Sequence, residues 1–157
     1  MHDLLPAVEK NSREISQRTA RALGVLGAAE SMPGPALYHQ VMRNVSDLRP
    51  VWTEHIRLLS QAYPLISSET DRMAITILRQ FQEDIADTAQ RLEMLSSAGW
   101  ARTPAIGVNS IRVGATQTLA NILHQMDKER TTIVPLLRRS MTHRVETLPV
   151  VQHLATA

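Results

Sequence analysis

The chain contains no cysteine, which removes disulfides, thiolate nucleophiles, zinc ribbons and iron–sulfur clusters from consideration. Six glycines among 157 residues argue against a Gly-rich phosphate cradle. One Phe, two Tyr and two Trp supply no platform for stacked bases. A surplus of one charge is missing too: 17 basic against 15 acidic residues leave a formal +2. The sequence pI near 9.5 reflects that small excess, and nucleic acid is not expected as a partner. Lysine occurs twice against fifteen arginines, so paired arginines such as Arg138-Arg139 carry little information. No window approaches the roughly 20 apolar residues of a membrane span. Residues Met1 to Pro6 show no basic region leading into an apolar run and a cleavage site. The expectation is a cytoplasmic protein with no membrane partner.

What is present is 43% hydrophobic and 20% charged residues in 17.5 kDa, enough to bury a core as one domain over 1–157, with a flexible tail from about residue 145. The apolar residues recur at helical spacing almost throughout. Val8, Ile15, Ala22 and Leu26 mark a first helix. Leu37, Val41, Val45 and Leu48 mark a second, and Trp52, His55, Ile56, Leu59 and Ala62 resume it beyond Pro50. That proline is expected to break or kink the helix, because it lacks an N–H and disfavours helical geometry at Arg49. A third helix carries Ala74, Leu78, Phe81, Ile85, Leu92 and Leu95 behind a capping-box pattern at Ser68-Glu69-Thr70-Asp71. The fourth carries Ala115, Leu119, Ile122, Met126, Ile133 and Leu137, with a kink expected near Thr131 ahead of Pro135. The methionines, including Met42, Met73, Met94 and Met126, read as core filling, and Trp52, Tyr63 and Trp100 as core and loop anchors. No segment alternates with the period of a strand. The fold class is all-α: an up-and-down antiparallel four-helix bundle with Pro-kinked helices.

Position on the helical wheel sorts the groups that carry chemistry. His55 faces inward, whereas His39 and His124 face solvent. Glu129 falls on the apolar stripe between Met126 and Ile133. Asp84 flanks the stripe of the third helix, and Glu83, Asp87 and Glu93 turn outward. A carboxylate facing the core is costly unless paired, so Glu129 requires a partner, a metal or water. His55, Arg57 and other inward-reaching arginines are the candidates. Asp84 and Glu129 are the carboxylates available for acid–base work, and a salt-bridged role is the simpler use of each. In the first helix Ala20, Ala22, Gly24, Gly27, Ala28 and Ala29 form a small-residue surface suited to a homodimer interface.

The stretch Leu123-His124-Gln125-Met126-Asp127-Lys128-Glu129, followed by Thr131-Thr132-Ile133-Val134-Pro135-Leu136-Leu137, resembles the closing helix of hemerythrin-like (HHE) domains. There a histidine is followed four or five residues later by a carboxylate and then by an apolar–Pro–apolar segment. Trp52-Thr53-Glu54-His55-Ile56 resembles an earlier ligand-bearing helix of the family. The resemblance implies a four-helix bundle whose ancestors held a non-haem di-iron centre for oxygen or redox sensing, with His55, Glu129 and His124 as the matching metal-ligand positions. The chain departs from the family in having no histidine between His55 and His124. Pro135 also stands one place further from His124 than the family pattern. The expected function is therefore a non-catalytic regulatory or interaction module that has lost its iron site, its protein partner unspecified. The alternative is a metal-binding or oxygen/redox-sensing protein with an atypical site near His55 and Glu129.

Overall fold

A computed structural model describes residues 3–28, 33–67, 72–96 and 108–146. These are almost entirely helical: α1 (Leu4–Ala28), α2 (Gly34–Ser67), α3 (Arg72–Ser96) and α4 (Val108–Lys128). A π-helical turn (Glu129–Ile133) and α5 (Val134–Glu146) follow α4 without a break, so the last three make one long fourth helix. No strand occurs among the described residues. The helices pack against one another, α1 on α2 and α4, α3 on α2 and α4, while α5 also reaches α2 and α1.

Local chemistry explains where α1 and α2 begin. The Asp3 carbonyl accepts the first backbone bond of α1, from Ala7 N–H, and the Pro33 carbonyl accepts the first of α2, from Leu37 N–H. Pro6 and Pro35 sit in the first turns, where an N–H has no intrahelical acceptor anyway. The capping-box pattern at 68–71, Trp100, Ala29 and most of the tail expected from about residue 145 lie outside the described residues.

The apolar stripes converge as the spacing requires. Val8, Ile15, Leu37, Leu59, Phe81, Leu119, Ile122, Ile133 and Leu137 are buried together with Trp52 and Met126. Three expectations need correction. The second helix is not broken at Pro50, because α2 runs continuously through both Pro50 and Pro64. Both prolines are exposed, as are Ser46 and Ser60 four residues earlier, so water can satisfy the carbonyls left without a donor. Met73 and Met94 are 70% and 56% exposed, so only Met126 of the four named methionines is buried core, with Met42 half-buried. Ile56, counted in the α2 stripe, is 37% exposed, because it sits one step round the helix from buried His55.

Candidate functional site

Polar side chains from three helices meet in the apolar interior. Asn11 lies on the α1 stripe between Val8 and Ile15, His55 on the α2 stripe between Trp52 and Leu59, and Glu129 opens the π turn. His55 and Glu129 are completely buried, and Asn11 is 9% exposed. His55 Nδ1 lies 2.8 Å from Asn11 Oδ1, and His55 Nε2 lies 2.6 Å from Glu129 Oε2. Asn11 Nδ2 donates to the Val51 carbonyl at 3.4 Å, which fixes the amide with its oxygen towards the imidazole.

That orientation settles the proton arrangement. Asn11 Oδ1 can only accept, so His55 Nδ1 carries a hydrogen and donates it. One further proton then lies between Nε2 and Oε2, giving either imidazolium and carboxylate or imidazole and carboxylic acid. The Trp52 ring stands against the imidazole, centroids 5.8 Å apart and tilted by 42°. Glu129 Oε1, Trp52 Nε1 and the Tyr63 hydroxyl are buried without a hydrogen-bond partner among the described residues. Burial first, and the neighbouring Glu129 carboxylate second, push the Tyr63 phenol well above its ordinary pKa. It therefore stays a neutral O–H throughout the physiological range.

The backbone change at Glu129 is part of how the site is built. Val134 N–H bonds back to the Glu129 carbonyl, five residues earlier instead of four, which widens one turn. The Thr131 hydroxyl donates to the Asp127 carbonyl at 2.8 Å, with a longer contact to Lys128 O at 3.4 Å. It thus occupies acceptors in the stretch where the regular ladder is interrupted. Pro135, which has no N–H to give, follows directly. The π turn spans the position where a kink was expected at Thr131.

A second polar group joins α3 to α4. Gln125 Nε2 donates to the Thr88 hydroxyl and to the Asp84 carbonyl, and Lys128 Nζ meets Asp84 Oδ2 at 2.6 Å. Burial opposes the Asp84 carboxylate, but hydrogen bonds from Lys128 and Gln80, with the charges of Lys128 and His124, hold its carboxyl below the usual range. Asp84 and Glu129 thus take different partners.

Of the three residues singled out as ligands, the structure joins His55 to Glu129 and places His124 on the solvent side of α4, close enough to Asp84 to act on its charge. Arg57, offered as a partner for Glu129, instead pairs with Glu54 on the exposed face of α2. Among the described residues no group of three or more His, Cys, Asp or Glu gathers as a metal site would require. The donor set does not fit non-haem iron. His55 and Glu129 supply two donors, one short of the two histidines and one carboxylate of a mononuclear non-haem iron site. Asn11 and Tyr63 were not found from sequence. Asn11 left a signal, a polar residue on the Val8–Ile15 stripe, whereas Tyr63 read as one more core aromatic.

No family model, curated protein or solved structure matches the chain. No helix among the described residues is long and apolar enough to cross a membrane.

Proposed function

We propose that the chain is a non-catalytic regulatory or interaction module, a cytoplasmic up-and-down antiparallel bundle related to hemerythrin-like domains. In this reading a proton-sharing chain, Asn11–His55–Glu129, stands where such domains hold iron. The observation that carries the reading is the direct 2.6 Å contact between two fully buried side chains, by which each of the two polar groups satisfies the other. Antiparallel packing is supported by the order of the cross-helix contacts. Asn11 faces His55 while Arg18 reaches Asp47, and Ser12 faces Met126 while Glu9 reaches Arg138. As one partner number rises, the other falls.

The partner in this proposal is a second copy of the chain. Ala20, Gly24, Gly27 and Ala28 are exposed on α1, whereas Ala22, counted with that surface from the sequence, turns into the core; a Cβ added at Gly24 or Gly27 would meet nothing within 4 Å. Packing inside the chain therefore does not demand glycine there, whereas close approach of another helix does. Light scattering should give a dimer mass that falls to the monomer in Gly24→Leu; a monomer at all concentrations removes this part of the proposal.

A metal-binding, oxygen- or redox-sensing reading is favoured by one observation, the unpartnered Glu129 Oε1. The deciding experiment is metal analysis of untagged protein purified without chelator, together with an absorption spectrum. Substoichiometric iron, manganese and zinc with no visible band is the expected result. Near-stoichiometric metal with an oxygen-dependent band would overturn the proposal in favour of the sensor.

A further inference from the structure

Beside the small-residue surface of α1, a groove of about 920 Å³ runs between α1 and the first half of α2. Its lining holds four cationic side chains, Lys10, Arg13, Arg18 and Arg21, against two carboxylates, Glu14 and Asp47. That excess of two equals the formal charge of the whole chain, so the remainder of the protein is formally neutral.

The charges in the groove are not equally committed. Arg18 is held by Glu14 Oε1 at 2.6 Å and by the Asp47 carbonyl at 2.9 Å, so this pair cancels and forms one wall. Arg13 spends only its Nε, on the Glu9 carbonyl at 3.3 Å. Lys10, Arg13 and Arg21 are exposed and form no ion pair with a described residue. They stand against the single carboxylate Asp47. Other cations of the protein are differently placed: Arg49, Arg57, Arg91, Lys128, Arg130 and Arg138 each have an acidic partner. Across from the arginines, Gln40 donates to Asn44 Oδ1, and Asn44 Nδ2 is left without a partner among the described residues. Gln17 adds another amide to the lining.

From this arrangement we infer that the α1–α2 groove binds a compact polyphosphate group, carried by a small molecule. The guanidinium forks of Arg13 and Arg21 match phosphate oxygens in geometry and charge. Eight residues apart on one helix, they lie about 12 Å from each other along the axis, the span of a short chain of phosphates and not of a single one. A concave site of this volume suits a small ligand. Long nucleic acid is the less suitable occupant, because its affinity comes from many phosphate contacts spread over a basic surface, and here three uncommitted cations are gathered in one concavity. This inference does not depend on the buried His55–Glu129 pair.

The test is isothermal titration of the full chain with inorganic tripolyphosphate, with ATP and with adenosine, at near-physiological salt. Saturable binding of tripolyphosphate and ATP, and none of adenosine, is expected. Arg13→Gln/Arg21→Gln should weaken it by about tenfold or more, with helicity by circular dichroism unchanged because both side chains are exposed. Arg91→Gln, on α3 and paired with Asp87, should leave it unchanged. Tighter binding of ATP than of tripolyphosphate would identify a nucleotide as the source of the phosphates, and equal binding an inorganic chain. The inference is overturned by absence of binding, by equal loss in Arg91→Gln, or by a single-stranded oligonucleotide that binds and is not displaced by tripolyphosphate.

Discussion

His55–Glu129 and Asp84–Lys128 are both acid–base pairs drawn to 2.6 Å between helices, yet the first is completely buried while the side chains of the second are 29% and 31% exposed. At the half-exposed pair, water can replace either partner, so a short distance means little for stability. At the buried pair nothing replaces a lost partner, and the survivor keeps its full desolvation cost. Equal geometry therefore carries unequal energy. Only the interior contact can hold α1, α2 and the fourth helix in a particular relation to one another.

The comparison breaks most visibly at His55. His55→Leu strands Glu129 in the core and should cost about 3–5 kcal/mol in urea unfolding; a loss within the error of the method would mean that Glu129 finds water. Asn11→Leu should cost less, about 1–3 kcal/mol, because it removes a neutral acceptor and leaves one imidazole N–H unsatisfied. Asp84→Asn belongs to the exposed regime and should cost at most about 1 kcal/mol. Its pH dependence sharpens the contrast. A carboxyl held low in the folded state stabilises the protein above its unfolded value, near 3.8, and that contribution disappears as pH falls through the folded value. Wild type and Asp84→Asn should therefore converge in stability in acid and separate towards neutrality. Tyr63→Phe should be the smallest change, within about 0.5 kcal/mol of wild type, since its hydroxyl has no partner to lose. A clear destabilisation there would reveal a bridging water to Glu129 Oε1.

Much of this was legible in the residues. The inward position of His55 and Glu129 and the outward position of His39 and His124 follow from 100° per residue, and the structure agrees at all four. Asn11 was overlooked because asparagine in a helix is ordinarily a surface residue; its place on the α1 stripe was the available sign. The continuity of α2 through Pro50 was illegible for another reason. Whether a proline ends a helix depends on whether water can reach the unsatisfied carbonyl, and Ser46 lies on the exposed face of α2. A periodic pattern also does not tell how wide a stripe the neighbouring helices will cover, which is why Met73, Met94 and Ile56 were placed inside. The π turn has no sequence code of its own beyond Pro135 and the hydroxyl of Thr131.

The central claim is that His55 and Glu129 depend on each other directly. A double-mutant cycle on metal-free protein, combining His55→Leu and Glu129→Leu, measures that dependence. The double variant should be more stable than the sum of the single losses implies, by at least about 2 kcal/mol. Additivity within about 0.5 kcal/mol would contradict the account, because it would mean that each side chain is satisfied by something other than its neighbour.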